Sequence, residues 1–228
     1  MGMHLTYTHE GSTGEGYLAL PESESGPAVI VIQEWWGLVG HIKDVVDRFA
    51  AAGFVAFAPD LYHGQAAAEP DVAMKLMMEL QLDLAGKEII NAANYLLSLP
   101  ETSTEHVGVV GFCMGVSLAI VSGTLSPKIT ATVSFYPGSP WERHAPVWAN
   151  YAGKSALIHC AEGDGTSSAP GIQEALREIQ AAGGSVQAQD YSGTQHAFFN
   201  DDRPEVFQPV AAALAWERTL EFFFKNLR

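Results

Sequence analysis

One cysteine of this chain lies in a pattern that could make it a nucleophile. Cys113 stands between Gly111 and Gly115, after a β-branched run and before an apolar helical pattern. A sharp turn from strand to helix projects the side chain at its apex into a cleft, and the flanking glycines let strand and helix approach closely. The N-terminus of the following helix also favours a thiolate. The pattern fits a reactive thiol and a small buried cysteine in an ordinary turn equally well.

A thiol nucleophile requires a base, and the base requires a third group that orients it. Asp164 comes just after the predicted strand 155–161, and His196 comes just after the predicted strand 186–191. Because the carboxyl ends of parallel strands meet at the same edge of a sheet, both side chains are expected beside Cys113. The chain order is nucleophile, acid and then histidine, as in one class of nucleophilic triads. We therefore predict these three residues as the catalytic set.

Other residues of the right types compete for these roles. Asp164 is followed by glycine and could simply form a turn, and Glu162 is the nearest alternative acid. His196 could be an ordinary polar loop residue. His63 also lies in a loop after a strand, but it precedes the cysteine and breaks the order, whereas His159 lies within an apolar strand and is expected in the core.

A further carboxylate follows the continuous apolar run 28–33, which is typical of a strand buried on both faces. In a fold with such a nucleophile turn, one oxyanion-binding N–H comes from the loop after this strand and another from the residue after the nucleophile. These would be the N–H groups of Trp35 and Met114. An ionised Glu34 would keep a neighbouring thiol protonated by like-charge repulsion. A solvated glutamate beside packing tryptophans is the alternative.

The elements that would position these residues alternate between strand and helix. This alternation predicts an α/β fold, with a mostly parallel sheet of about seven to eight strands and helices on both faces, in a single domain over 1–228. The first two strands are expected to form an antiparallel hairpin at the sheet edge. The predicted strands are 4–8, 16–20, 28–33, 54–58, 107–110, 129–136, 155–161 and 186–191. The predicted helices are 41–52, two stretches within 72–99 that break near Asp83, 116–122, 171–182 and 206–226.

Composition excludes several classes of partner. The net charge of −14 argues against nucleic acid and anionic membrane surfaces. No apolar stretch approaches the roughly 20 residues of a membrane span, and no basic segment followed by an apolar run marks a signal peptide. Two cysteines make no disulfide framework, so a reducing cytoplasm is expected. Without metal-ligand spacing or a phosphate-binding glycine motif, we predict no metal and no cofactor, and a small-molecule substrate.

With these residues in place, the chain resembles the dienelactone hydrolase family over nearly its whole length. The resemblance implies the α/β-hydrolase fold and a triad of Cys113, His196 and Asp164 that cleaves carboxylic esters or lactones through a thioester acyl-enzyme. It also implies that Glu34 holds the resting thiol and releases it when substrate binds. The likeness rests on Q-E-W-W-G from Gln33, A-P-D-L-Y-H-G from Ala58, G-F-C-M-G from Gly111, E-G-D from Glu162, H-A-F from His196 and W-E-R-T-L-E-F-F from Trp216.

The chain departs from this family where the substrate carboxylate would be bound. Members that act on dienelactone hold that carboxylate with arginines, one of them shortly after the catalytic histidine. Here the first arginine after His196 is Arg203, and segment 66–82 contains none. That segment is expected to form an apolar pocket wall through Met74, Met77 and Met78, which favours a less polar ester or lactone. The predicted substrate-binding residues are Trp36, Tyr136, Met77, Phe198 and Arg203.

Two other functions fit the same sequence. A thioesterase or another acyl transferase would use the same triad and would differ in the shape of its pocket. A non-catalytic scaffold that binds a partner would have no need to keep all three residues in order. Reactivity of Cys113 toward a thiol reagent would separate the enzymes from the scaffold.

Overall fold

The computed structural model describes residues 1–137 and 145–227. Within these residues, eight strands form a single sheet and six α-helices surround it. The strands are β1 (Met3–His9), β2 (Ser12–Ala19), β3 (Gly26–Ile32), β4 (Val55–Pro59), β5 (Thr102–Phe112), β6 (Ile129–Phe135), β7 (Ser155–Ala161) and β8 (Ser185–Tyr191). The helices are α1 (Gly40–Ala51), α2 (Pro70–Glu79), α3 (Leu82–Ser98), α4 (Gly115–Leu125), α5 (Pro170–Ala181) and α6 (Pro209–Asn226).

The sheet is mostly parallel, as predicted. Its strand order is β1-β2-β4-β3-β5-β6-β7-β8. β1 pairs antiparallel with β2, and β2 pairs antiparallel with β4, which confirms the hairpin at the edge. The remaining pairs are all parallel. The carboxyl ends of β3, β5, β6, β7 and β8 therefore meet at one edge, where the predicted catalytic residues follow them.

Several boundaries differ from the prediction by a few residues, and two of these differences have a clear physical reason. β5 begins at Thr102 rather than at residue 107. Its first five residues are polar and partly exposed, so the sequence there lacks the apolar run that predicts a buried strand. The break between the helices α2 and α3 lies at Leu80 and Gln81 rather than at Asp83. Asp83 instead occupies the first turn of α3, where its negative charge favours the positive end of the helix dipole.

Helices cover both faces of the sheet, because side chains of one strand alternate between two apolar layers. Val29 and Val31 of β3 pack in the cluster that contains buried residues of α1 and α6. Ala28 and Ile30 pack in the cluster that contains α3. All four side chains are fully buried, as predicted for this strand. Among the helices of the described residues, none has the length and apolar character needed to cross a bilayer.

The turn from β5 into α4 has the sharp geometry that the two glycines predict. Cys113, at its apex, has a φ of 53°, in the left-handed region that few non-glycine residues adopt. A Cβ on Gly111 would lie 2.1 Å from the carbonyl oxygen of Gly115, and a Cβ on Gly115 would lie 2.8 Å from the carbonyl oxygen of Gln33. Helix α4 can approach the end of β5 at Gly111, and the end of β3 at Gly115, this closely only because both positions lack a side chain.

We expect Gly111→Ala to destabilise the protein by about 1–3 kcal/mol, because the new methyl group would overlap backbone atoms that cannot move aside. Chemical denaturation followed by circular dichroism would measure the free energy of unfolding. Gly40→Ala is a matched control, since the nearest atom to its new Cβ lies 3.8 Å away. Equal stability of the two variants would contradict the close approach.

Candidate active site

Cys113 lies at the carboxyl edge of the sheet, between β5 and α4. Its backbone N–H donates to the carbonyl oxygen of Phe135 at 3.1 Å, which joins the turn to the end of β6. The residue is half-buried. Tyr136 and Ala197, which flank the same region, also have positive φ angles of 44° and 67°. Non-glycine residues in this conformation cluster at functional sites, because the surrounding structure must hold them there.

The predicted acid and base are in direct contact. His196 follows β8, Asp164 ends a short 3-10 helix after β7, and the His196 Nδ1 lies 2.7 Å from the Asp164 Oδ2. Glu162, the alternative acid, is exposed and instead accepts a hydrogen bond from the backbone N–H of Gly193 at 2.5 Å. The structure therefore pairs the histidine with Asp164.

The surroundings of His196 favour its positive charge. Burial lowers the pKa of its imidazole, but hydrogen bonds to Asp164 and Cys113 and the negative charges of both groups outweigh burial and raise the pKa to about 10. An imidazolium between a carboxylate and a sulfur stabilises the thiolate form of that sulfur. The three predicted residues are thus brought together, with His196 in the middle.

A buried threonine joins the loop that carries the acid to the loop that carries the histidine. The Thr194 hydroxyl donates to the carbonyl oxygen of Tyr191 at 2.6 Å and accepts from the N–H of Glu162 at 3.3 Å. The N–H of Gly163 donates to the Thr194 carbonyl oxygen at 3.0 Å. These bonds hold the loop of Asp164 against the loop of His196 and so fix the two side chains relative to each other.

Glu34 is a buried carboxylate with two neutral hydrogen-bond donors. Its side chain is 2% exposed, its Oε1 accepts from the Tyr136 hydroxyl at 3.0 Å, and its Oε2 accepts from the Asn200 amide at 3.0 Å. Burial and the negative charges of Glu34 and Cys113 raise the pKa of Tyr136 well above its usual value. The Tyr136 ring also packs edge-on against His196, with 5.1 Å between ring centroids. Tyr136 therefore connects Glu34 to the catalytic candidates.

Asn200 was not predicted as part of this site. It comes four residues after His196, in a loop without helical or strand periodicity, and its side chain is almost completely buried. Only its position after the histidine could have suggested it. The Asn200 Oδ1 also accepts from the N–H of Asp202 at 3.1 Å, so the loop's own backbone orients the amide toward Glu34.

The two candidate oxyanion donors lie where the sequence places them. Met114 is the N-cap residue of α4, where backbone N–H groups have no partner within the helix. Trp35 follows β3 and, together with Met114 and Trp36, packs against the apolar cluster that contains Leu76 of α2. Tyr62, which sequence reasoning did not select, donates its hydroxyl hydrogen to the Met114 sulfur at 3.3 Å.

The predicted substrate-binding residues divide into two groups. Trp36, Met77 and Arg203 are half-buried and can face a ligand, and the Arg203 guanidinium pairs with Glu205 at 2.9 Å. Tyr136 and Phe198 are fully buried. Neither of these two side chains presents a surface to a ligand in this conformation, because each packs within the core.

The apolar wall expected on α2 is arranged differently from the prediction. Ala73 and Leu76 form its buried side, whereas Met74 and Met78 are 46% and 61% exposed. The periodicity of three methionines could not show which side of the helix the tryptophans would cover. Met77 is half-buried, between the buried Leu76 and the exposed Met78.

His63 and His159, the two histidines that competed with His196, have structural partners. His63 is exposed and lies 2.8 Å from Glu88. His159 is fully buried and contacts the Tyr191 hydroxyl at 2.8 Å and the Thr219 hydroxyl at 3.0 Å, which confirms it as a core histidine. Burial and the nearby positive charge of Arg218 lower its pKa to about 3.

Comparison with known proteins gives close relatives over the whole chain. The model of the dienelactone hydrolase family matches residues 15–227. Protein usf of Aquifex pyrophilus is 36% identical over 234 residues, which cover 100% of both chains. A protein of Aquifex aeolicus (strain VF5) with a provisional carboxymethylenebutenolidase name is 34% identical over 235 residues, again with 100% of both chains covered.

Solved structures share the fold. A crystal structure from Klebsiella pneumoniae subsp. pneumoniae MGH 78578, described provisionally as a dienelactone hydrolase, has a TM-score of 0.84 at 21% identity and covers 99% of each chain. A dienelactone hydrolase-like promiscuous phosphotriesterase from metagenomic libraries has a TM-score of 0.82 at 22% identity, covering 100% of this chain and 99% of its own. The chain has the α/β-hydrolase fold and belongs to the dienelactone hydrolase family.

Proposed function

We propose that this protein hydrolyses carboxylic esters or lactones by attack of the Cys113 sulfur on the carbonyl carbon. The observation that carries the proposal is the position of His196, which contacts Asp164 at 2.7 Å and is charged by its interactions with Asp164 and Cys113. A nucleophile, a base and a group that orients the base are the parts that acyl transfer needs. Asp164 keeps the imidazole oriented and stabilises its positive charge.

The first half of the reaction forms a thioester. The Cys113 thiolate adds to the carbonyl carbon, and the carbonyl oxygen becomes an oxyanion that the N–H groups of Met114 and Trp35 stabilise. When this intermediate collapses, the carbon–oxygen bond to the leaving alcohol breaks. His196 gives its proton to the departing alkoxide and becomes neutral. With a lactone, the alcohol stays attached to the acyl group.

The second half restores the enzyme. Neutral His196 takes a proton from water as the water oxygen adds to the thioester carbon. Collapse of the second tetrahedral intermediate breaks the carbon–sulfur bond and releases the carboxylic acid and the Cys113 thiolate. The thiolate then again faces a protonated imidazole. A reducing compartment such as the cytoplasm would keep this sulfur available.

A less polar ester or lactone is the substrate class that we propose. Aromatic and thioether side chains lie at the candidate oxyanion donors, where Trp35, Trp36 and Met114 pack against one apolar cluster. The nearest candidate to hold a substrate carboxylate, Arg203, already pairs with Glu205. A panel of esters and lactones would test this assignment, and a strong preference for carboxylated lactones would contradict it.

Glu34 acts in this proposal on the protonation of the thiol. Its buried negative charge disfavours a second negative charge on Cys113. The charges of both groups raise the pKa of Tyr136, which lies beside them. In the structure the carboxylate is held by Tyr136 and Asn200, which are both neutral. We propose that Glu34 moves between these donors and the thiol as substrate enters and leaves.

Cys113→Ala should lower the hydrolysis of a short p-nitrophenyl ester and of a simple lactone by about three orders of magnitude or more, because no nucleophile remains. Steady-state kinetics would measure the loss, and circular dichroism would verify the fold. Cys160→Ala is the control, since burial first and then the charges of Asp190 and Asp164 raise the pKa of that thiol to about 12 and keep it unreactive. Activity that survives in Cys113→Ala would assign Cys113 a structural role.

The free energy of unfolding should depend on pH through His196. Its folded-state pKa of about 10 lies above the ordinary value of 6.5, so its stabilising contribution is fully present below about pH 6.5 and is lost as the pH rises through about 10. Denaturation of the wild type and of His196→Asn between pH 6 and 10.5 would measure this. We expect the stability difference to shrink across that interval, and a constant difference would contradict the charged imidazole.

Glu34→Gln should increase the rate at which iodoacetamide alkylates Cys113 near pH 7 by up to about tenfold, because a neutral amide no longer opposes the thiolate. Mass spectrometry would follow the modification of the intact protein. Glu162→Gln removes an exposed carboxylate that does not face His196, so it serves as the control. A slower reaction in Glu34→Gln would show that the carboxylate assists the thiol instead.

A further inference from the structure

The loop after His196 is joined to helix α1 by an ion pair. Asp201, which follows Asn200 directly, contacts the Arg48 guanidinium through its Oδ2. Burial raises the pKa of the Asp201 carboxyl, but the charge and hydrogen bond of Arg48 outweigh burial and lower it. Arg48 also contacts Asp44 of the same helix at 2.5 Å. One guanidinium thus connects a carboxylate on α1 with a carboxylate on the histidine loop.

Aromatic packing continues this connection toward the nucleophile. The Arg48 guanidinium lies 5.8 Å from the centroid of the Phe199 ring, which is almost fully buried. Phe199 stacks on Phe112 with 5.6 Å between ring centroids, and Phe112 is the residue before Cys113. The loop that carries the base therefore rests directly on the strand end that carries the nucleophile.

A buried histidine of α1 completes the cluster. His41 is 1% exposed, and its ring lies 6.2 Å from the rings of both Phe112 and Phe199. Neither ring nitrogen has a hydrogen-bond partner among the described residues, and the Nδ1 lies 3.4 Å from the Asp201 Oδ1. The Asp201 carboxylate is thus placed between an imidazole and a guanidinium, both on α1.

We propose that this cluster, the α1 latch of His41, Arg48, Phe199 and Asp201, positions His196 and Asn200 relative to Cys113. Within it, Asp201 and Arg48 are positioning residues for the reaction proposed above, on which this inference rests. They touch no reacting atom. They hold the loop at its far end, whereas Asp164 and Thr194 hold it near His196, so that the imidazole reaches the sulfur in one orientation.

The distribution of contacts favours this role over general stabilisation. A surface ion pair contributes about 0–1 kcal/mol, so a single pair between α1 and any exposed loop would add little to stability. This pair instead lies five residues from His196 and one residue from the amide that holds Glu34. Displacement of a catalytic group by about 1 Å can reduce a rate by about 100-fold, so a small loosening here has a large effect on rate.

Asp201→Asn is the test, with Asp44→Asn as its matched control. Both variants remove one carboxylate from the same guanidinium, but only the first releases the histidine loop. We expect Asp201→Asn to lower kcat by about 10- to 100-fold with little change in KM, and Asp44→Asn to leave both unchanged. NMR titration of the His196 imidazole should show its pKa falling toward the ordinary value in Asp201→Asn alone. Equal kcat and equal His196 titration in the two variants would overturn the proposal.

A second variant covers the case in which Asp201→Asn folds poorly, and the His196 titration tests the latch separately from the proposed hydrolysis. If Asp201→Asn folds poorly, Arg48→Lys replaces it as the test. This variant retains a cation that can contact only one carboxylate well, so its kcat should lie between those of the wild type and a variant without the ion pair. The His196 titration needs no substrate. A shifted pKa in Asp201→Asn therefore supports the latch even if Cys113→Ala retains hydrolysis, which would contradict the proposed function alone.

Discussion

The close approach of α4 to the end of β5 is the constraint on which the site depends. The helix passes so close to the end of β5 that a Cβ has no room at Gly111, and so close to the end of β3 that a Cβ has no room at Gly115. This forces Cys113, which lies between the two glycines, into a left-handed conformation. Its side chain therefore points away from the sheet, and the positive N-terminal end of the α4 dipole lies behind it. The same approach places the first N–H groups of α4 beside the sulfur. The candidate nucleophile and one candidate oxyanion donor, the N–H of Met114, thus come from a single backbone feature.

The electrostatics around that turn are balanced locally, in a chain whose net charge is −14. The Glu34 carboxylate is buried between two neutral donors, and His196 is the cation between Asp164 and the sulfur. A buried charge without partners would cost several kcal/mol, so each of these groups depends on its neighbours.

The sequence predicted the mostly parallel sheet, and the strands that end beside the site, better than the details of the side chains around it. Cys113, Asp164 and His196 could be selected because turn chemistry and strand ends have clear patterns over a few residues. Asn200 and Asp201 could not be selected, because their contacts join loops and helices that are distant in the chain. No periodicity in the sequence indicates such contacts. The helix α2 was recognised, but periodicity alone could not tell which side of it the tryptophans cover. Phe198 was predicted as a substrate-binding residue, although the tertiary packing buries it completely.

The Thr194 bonds also bear on how such a site can diverge. A single hydroxyl and carbonyl fasten the acid loop to the histidine loop, so an insertion in either loop would break bonds to the other. The two loops can therefore change length only together. Apolar residues of α2 pack in the same cluster as Trp35, Trp36 and Met114, and such contacts tolerate exchange of one side chain for another of similar volume. New substrate preferences are thus expected to arise by substitution on α2, while the pair of loops stays constant.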